Sequence, residues 1–302
     1  MRALIASPRT ARGFATAEVA EPEPEPGQVL VEIHHASVNH GEVRHLGLRP
    51  PGEVLGHDAA GYVVRAAADG TGPGVGERVV AFGAGAWGRR AVFGTGSVAV
   101  VPEELELAEA AALSMVGVTA LRTLRAAGPV LGRRVLITGA SGGVGRIAVQ
   151  LARHGGAHVI ASVGSAARGA GLRELGADEV VVGLDGVGEP VDVVLENVGG
   201  AHLVASWNLL KPGGVLQSIG WASGEPAVFP VNSTFAPGPA RSLRSFGDAS
   251  DPGADLAVLV RLAAERAITS QIGWRGSWSD LGDAIDALLG RRVAGKAVLD
   301  LD

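Results

Sequence analysis

The sequence predicts an α/β fold in two parts, a small all-β unit followed by a doubly wound parallel sheet, on three observations. Short β-rich runs at 3–6, 29–34, 60–64, 78–82, 91–93 and 98–101 are separated by Pro, Gly and acidic residues, the pattern of a small barrel or sandwich. Beyond residue 135 helical and strand patterns alternate, as βαβ units require. Where the two parts meet, the apolar strand Val135-Leu136-Ile137 runs through Gly139-Ala140-Ser141-Gly142-Gly143-Val144-Gly145 into a helix. The apolar positions of that helix, Ile147, Ala148, Leu151 and Ala152, recur at helical spacing.

The alternating Glu-Pro run over 21–26 is a stiff extended connection entering the strand at 29. Ala-rich helix begins at Leu107, and a second helical run over 119–124 bridges to the glycine turn. In that turn Ala140-x-Gly142-x-x-Gly145 is the dinucleotide-binding pattern with Ala in the first slot. Gly142 lets backbone approach a pyrophosphate, Gly145 lets the helix pack on the strand, and the helix N-terminus offers unpaired N–H groups to phosphate. The apolar run 158–162 stands where the next parallel strand belongs. A helix at 172–175, strands at 179–182 and 191–195, a helix at 201–210 and a strand at 214–219 are expected next, then an irregular stretch over 221–254. A helix at 255–267, a β-like 268–272, a helix at 279–289 and a strand at 297–301 complete the chain. The expected domains are 1–112 with 268–302, and 113–267.

With 302 residues, 47% of them hydrophobic, and a mean hydropathy of +0.26, the chain has material for two cores and lacks the composition of disorder. A net charge of −5 leaves no basic footprint for nucleic acid. The absence of Cys removes disulfides, thiolate nucleophiles and thiolate zinc sites, and fits a reducing compartment. The run Met1-Arg2-Ala3-Leu4-Ile5-Ala6-Ser7 is too short for a secretion signal, and no apolar stretch reaches about eighteen residues. A cytoplasmic protein with no membrane association is expected.

Segments along the whole chain carry a family resemblance. They are Pro26-Gly27-x-Val29-Leu30-Val31, Ala36-Ser37-Val38-Asn39, Gly117-Val118-Thr119-Ala120, Leu175-Gly176-Ala177-Asp178, Asn197-Val198-Gly199-Gly200, Lys211-Pro212-Gly213-Gly214 and Gly295-Lys296-Ala297-Val298-Leu299. In that order they resemble the zinc-independent quinone oxidoreductase and enoyl reductase branch of the medium-chain dehydrogenase/reductase superfamily. The resemblance implies a GroES-like β-barrel catalytic domain, a Rossmann NADP(H)-binding domain and a homodimer. It also implies hydride transfer from NADPH to a quinone or to the activated C=C of an enone or enoyl thioester.

In zinc-dependent alcohol dehydrogenases the catalytic metal sits on thiolate and imidazole ligands. The aligned positions here are Asn39, His57 and Met115, and only His57 is a good ligand, so no metal is expected. His34 and His35, adjacent on a strand, point to opposite faces and do not chelate together. Without a metal to polarise an alcohol, reduction of an activated C=C or quinone is the chemistry that remains accessible.

By the same resemblance Asn39 and Thr119 stand near the nicotinamide, with His57, His40, Glu42 and bulk water as candidate proton donors. Ala140, Ser141, Gly142, Gly143, Val144 and Gly145, together with Ser162, Asn197, Val198, Ile219 and Gly220, line the cofactor. The end of the second strand lacks the acidic residue that grips the ribose of NAD, while Ser165 and Arg168 match positions that bind the 2′-phosphate of NADP. Gly85-Ala86-Trp87-Gly88-Arg89-Arg90 replaces a family segment with two tyrosines, so no Tyr proton donor carries over. Trp87 is either a stacking surface for a flat substrate or an aromatic wedged in its own barrel. Asp58 and Lys296 are expected to pair behind the catalytic cleft. A second class of function, an NADPH-binding regulator or sensor with little catalysis, stays open because those tyrosines are missing.

Overall fold

The computed structural model describes residues 1–235 and 237–301. β1 (Arg2–Ala6) and β2 (Phe14–Glu18) form an antiparallel ribbon. β2 has no sequence signal, because its one large apolar residue, Phe14, is half-exposed. β3 (Gln28–Val38), α1 (His40–Arg44), β4 (Asp58–Arg65), β5 (Arg78–Phe82), β6 (Arg90–Gly94) and β7 (Val98–Val100) follow. β3 is the spine of the unit, pairing antiparallel with both β4 and β6. Register shifts against β4 at Leu30/Val31 and Ile33/His35 bend it, so one long strand serves several partners.

α2 (Leu107–Ala127) is one continuous helix rather than two runs. Gly117 does not break it but lets it pack tightly, since a Cβ there would lie 2.8 Å from a Leu259 methyl. By length and composition α2 qualifies as a membrane span, yet 78% of its most apolar window is buried within the protein, as in a core helix.

The parallel sheet begins with β8 (Arg134–Ile137), α3 (Gly143–His154), β9 (His158–Val163) and β10 (Glu179–Val182). It continues through β11 (Val191–Glu196), α4 (Gly200–Asn208), β12 (Leu210–Ser218) and β13 (Ser242–Ser245). All neighbours pair in parallel, in the order β10-β9-β8-β11-β12-β13. The chain runs outward from β8 to β10, then returns to the other side of β8, and this reversal creates a crevice beyond the carboxyl ends of β8 and β11.

The helix expected at 172–175 does not form. The β9-to-β10 crossover is a 3-10 turn over Ala166–Gly169 followed by further turns, because Gly169, Gly171 and Gly176 interrupt the run and leave Leu172 as its buried anchor. β12 starts at Leu210 and takes in Lys211-Pro212-Gly213-Gly214, and β13 lies inside the stretch expected to be irregular, with Leu243 as its sole apolar residue.

α5 (Gly253–Ala264), β14 (Ile272–Ser277), α6 (Leu281–Leu289) and β15 (Lys296–Asp300) complete the chain. The strand expected at 268–272 begins where that range ends, and Ile268 instead turns inward as a buried residue. β15 pairs antiparallel with β3 and parallel with β14, closing a sheet of order β14-β15-β3-β4-β5-β7 with β6 alongside β3. Val29, Val31, Ile33, Trp87, Phe93, Trp278 and Leu299 share its core.

Two compact units result, Met1–Val118 with Ala249–Asp302, and Thr119–Asp248, the division falling inside α2. This differs from the expected 1–112 with 268–302 and 113–267. α5 packs on β5 and β7 of the barrel unit instead of on the parallel sheet, and Gly253 sits so close to the Gly96 carbonyl that a Cβ would reach within 2.7 Å.

Candidate active site

The cofactor-directed residues collect at the carboxyl ends of the parallel strands. The turn leaves β8 through Gly139 at φ +60°, and the Ala140 N–H is tied to the Ser162 carbonyl at 3.0 Å. A Cβ on Gly145 would stand 2.6 Å from both Ala140 Cα and the Gly139 oxygen, so glycine alone permits this approach of α3 to the turn. A Cβ on Gly142, the residue capping α3, would meet only the Gly139 oxygen, at 3.4 Å. The turn is therefore open on the side where the first-turn N–H groups of α3, at Gly143, Val144 and Gly145, lack helical partners. Such a cradle fits a pyrophosphate.

Ser165 and Arg168 lie at the 3-10 turn beyond β9, exposed and half-buried respectively. Asn197 and Val198 follow β11, and Ile219 and Gly220 follow β12, with both of the latter N–H groups donating to the Glu196 carbonyl at 2.8 and 3.2 Å. Two expected contacts change character. The Ser162 hydroxyl is buried and donates to the Gly183 carbonyl at 2.7 Å. The Asn197 amide donates to the Thr138 carbonyl at 2.9 Å, tying the loop after β11 to β8. Both bonds brace the walls of the crevice.

Glu196, at the end of β11, was not flagged by any sequence pattern. It is 0% exposed, and its carboxylate accepts from the Thr138 hydroxyl (2.9 Å), the Val198 N–H (2.9 Å) and the Gly199 N–H (2.8 Å). The available signal was a carboxylate ending the otherwise apolar half of Val191-Asp192-Val193-Val194-Leu195-Glu196.

In the barrel unit one network gathers Asn39, Glu42, His57, Asp58 and Lys296. Asp58 and Lys296 pair at 3.1 Å with side chains 0% and 5% exposed, as the sequence predicts. Lys296 also donates to Asn39 Oδ1 (2.6 Å) and the Val38 carbonyl (3.2 Å). Asp58 also accepts from Ser37 Oγ (2.6 Å), Asn39 Nδ2 (2.8 Å) and the Met115 N–H (3.1 Å). The Asn39 amide thus bridges both members of a buried ion pair. Glu42, in the first turn of α1, reaches back to accept the Asn39 N–H at 2.7 Å, and its other oxygen bonds His57 Nδ1 at 2.7 Å.

Glu42 thus holds His57 Nδ1, and the ring nitrogen it leaves open is Nε2. With Nδ1–H held by the carboxylate, Nε2 accepts when the ring is neutral and donates when it is charged. His57 lies beside Phe82, at 5.9 Å between ring centroids, and borders a recess lined by Glu42, Leu46, Arg49, Leu55 and Trp87. The Glu42 hydrogen bond raises the His57 pKa above its ordinary value, outweighing burial. His40 differs, because burial first and then Arg44 and Arg291 lower its pKa from the ordinary value.

Trp87 is fully buried and donates to the Ser37 carbonyl at 3.2 Å, which settles it as an aromatic of the barrel core rather than an open stacking surface. Gly56, at φ +88°, crosses its ring so closely that a Cβ would fall 2.1 Å from Cδ1. Thr119 is buried in the interior of α2 and begins no helix. His34 meets Tyr62 edge-on at 5.0 Å while His35 bonds Asp300 at 2.8 Å, so the adjacent rings serve separate partners.

The His57–Glu42 pair predicts a pH signature. A pKa raised in the folded state means that the pair stabilises fully below the unfolded value of about 6.5 and that this contribution is lost as pH rises through the folded value. The stability lost by His57→Gln is therefore expected to be largest below pH ~6.5 and to shrink above it. His35 and His40, lowered by burial, titrate in the opposite sense in both proteins and cancel in the difference. Denaturant unfolding of both proteins across about pH 5 to 8 checks this, and a constant difference would refute the pair.

The model of the Alcohol dehydrogenase GroES-like domain matches residues 25–110, and that of the family described as Zinc-binding dehydrogenase matches 143–247. Quinone-oxidoreductase QR1, chloroplastic, of Triphysaria versicolor is 37% identical over 190 residues, 56% of this chain and 56% of that protein. The chain thus spans about half the length of this relative, and 3% of a Streptomyces halstedii polyketide synthase that it also matches. Mycobacterial Rv1454c, solved in complex with NADPH, superposes with a TM-score of 0.89 at 26% identity, over 99% of this chain and 100% of that one. A 2-haloacrylate reductase superposes with a TM-score of 0.85 at 26% identity over 99% of each chain.

The chain belongs to the medium-chain dehydrogenase/reductase superfamily of oxidoreductases, its barrel unit GroES-like and its parallel sheet Rossmann-like. A chloroplastic quinone oxidoreductase stands among the relatives it resembles, and a quinone oxidoreductase from Coxiella burnetii shares the fold.

Zinc, named in one family description, does not fit this donor set. Asn39 is locked between Asp58 and Lys296, and the chain has no Cys. Among the described residues no group of three or more His, Asp or Glu is placed to hold a metal ion.

Proposed function

We propose that this chain is a zinc-independent, NADPH-dependent reductase of quinones or of C=C bonds activated by a carbonyl. The observation that carries the reading is the fate of the aligned metal positions. Asn39 is spent on an ion pair, Met115 contributes its backbone N–H, and His57 is turned by Glu42 into an acid–base group. A site of this kind suits substrates that need a proton and a hydride but no Lewis acid.

Bound NADPH supplies the hydride. The glycine turn and the N-terminus of α3 hold its pyrophosphate, and Ser165 and Arg168 hold the 2′-phosphate. The backbone after β11 and β12 orients the other half. His57 donates a proton from Nε2 to the reduced substrate, with Glu42 fixing its tautomer. Water shares that task, so His57→Gln is expected to lower the reduction rate by less than about a hundredfold. Loss of all turnover with fold and NADPH affinity intact would make His57 the obligatory acid.

Arg168→Ala is expected to weaken NADPH by roughly 1.5–3 kcal/mol while sparing NADH, because only the former offers a phosphate for charge-assisted hydrogen bonds. Equal losses for both cofactors, measured by titration, would remove Arg168 from the phosphate site. The expected homodimer has a sheet edge to use. Among the described residues β13 pairs only with β12, and Leu243 upon it is exposed. A small-molecule substrate and a cytoplasmic setting complete the reading.

Rapid-mixing oxidation of NADPH against a panel of quinones, enones and enoyl thioesters tests the function. Turnover with at least one member is expected. Tight NADPH binding with no turnover on any would instead support the regulator.

A further inference from the structure

We infer that Glu196 biases the bound nicotinamide toward its oxidised, positively charged form, making the cofactor held by this chain a stronger hydride donor than it is in water. The inference rests on the reading that the parallel-sheet unit binds NADP(H).

The placement follows from the topology. The pyrophosphate turn leaves β8, and Ser165 and Arg168 leave β9, so the adenosine half belongs over the β8–β9 side of the reversal. A dinucleotide laid across the crevice then carries its nicotinamide half over the ends of β11 and β12, at Asn197, Val198, Ile219 and Gly220. Glu196 is the last residue of β11, and its carboxylate lies directly beneath this loop, bonded to the Val198 and Gly199 N–H groups.

The contacts suit a negative charge at this position. The Thr138 hydroxyl accepts the Asn197 N–H at 2.9 Å, so its own hydrogen is free to point at Glu196 Oε1, 2.9 Å away. Every partner of the carboxylate is then a donor, the arrangement that suits an acceptor-only group. None of the partners is a cation. The donors are a hydroxyl and two amides at the start of α4, whose dipole further suits an anion. A buried charge compensated only by neutral dipoles keeps a long reach through a low-dielectric interior.

When hydride, a proton with two electrons, passes to the substrate, the nicotinamide ring gains one positive charge while the substrate takes up the negative charge and then a proton. Glu196 therefore favours the product side of that transfer. A buried carboxylate with this geometry has a second use as a brace for the loop, and the test separates the two.

The experiment measures dissociation constants of NADP⁺ and NADPH for the full chain and for Glu196→Gln, with thermal unfolding as a check on folding. The neutral variant is expected to weaken NADP⁺ relative to NADPH by about tenfold, the order set by one unit charge at an effective dielectric near ~20. A brace without an electrostatic role weakens both forms equally, and an unchanged ratio would overturn the inference. If Glu196→Gln does not fold, the parent chain carries the test. A bound cofactor that is a stronger hydride donor than in water must bind NADP⁺ more tightly than NADPH, so equal or inverted affinities of the parent overturn the inference. Failure of both forms to bind the parent chain would sink the proposed function itself, and this inference with it.

Discussion

Lys296→Met is expected to destabilise the protein by roughly 3–5 kcal/mol, the cost of removing one partner of a buried ion pair. The ammonium is 5% exposed and meets three acceptors, Asp58, Asn39 and the Val38 carbonyl. Methionine matches its volume but satisfies none of them. Asp58, 0% exposed, would keep Ser37, Asn39 and Met115 as donors yet lose its counter-charge. Urea unfolding measures the loss. Pairing Lys296→Met with Asp58→Asn should recover part of it, because two neutral partners cost less than one stranded charge. A single-variant loss under about 1 kcal/mol, the range of an exposed pair, would show that water reaches the site and refute the burial argument.

The elements legible in the sequence were those whose burial leaves a pattern. β8, α3 and β9 combine largely apolar strands with a helical stripe, and all three form where that pattern places them. β2 and β13 were illegible because edge strands held mainly by backbone pairing need few apolar side chains. The short run at 172–175 misled because one buried leucine among glycines imitates the start of a helix.

At the site the split is similar. Asp58 and Lys296 were predictable as a pair because Asp58 follows His57 at a place where the zinc-dependent enzymes that the chain resembles carry an acidic residue, and Lys296 lies in the tail expected to return to the barrel. The partner of His57 was not, because Glu42 reaches it across fifteen positions of sequence through a one-and-a-half-turn helix whose start no periodicity marks. The hydrogen bonds of Asn39 were equally hidden, because the sequence places it before α1 while the residues its amide meets, Lys296 and Asp58, come from distant strands.

Two glycines of the turn separate folding from binding. At Gly145 an added Cβ would press within 2.6 Å of Ala140 Cα and the Gly139 oxygen, backbone atoms that cannot move without displacing α3 from β8. Gly145→Ala is therefore expected to lose about 1–3 kcal/mol of stability by overpacking. It should also lose NADPH affinity by about a hundredfold, since the first-turn N–H groups shift with the helix, and two charge-assisted hydrogen bonds amount to roughly 3 kcal/mol. Gly142 is the control. Its φ of −81° and ψ of 177° suit any residue, and its Cβ would meet protein only at 3.4 Å. Gly142→Ala should keep parental stability within about 0.5 kcal/mol while its methyl intrudes on the anion's approach and weakens NADPH. Calorimetric titration and thermal unfolding of the two variants check both halves. A Gly142→Ala protein that binds NADPH as the parent does would mean that phosphate does not approach α3 through the open side of this turn, and the assignment of the cradle would fall.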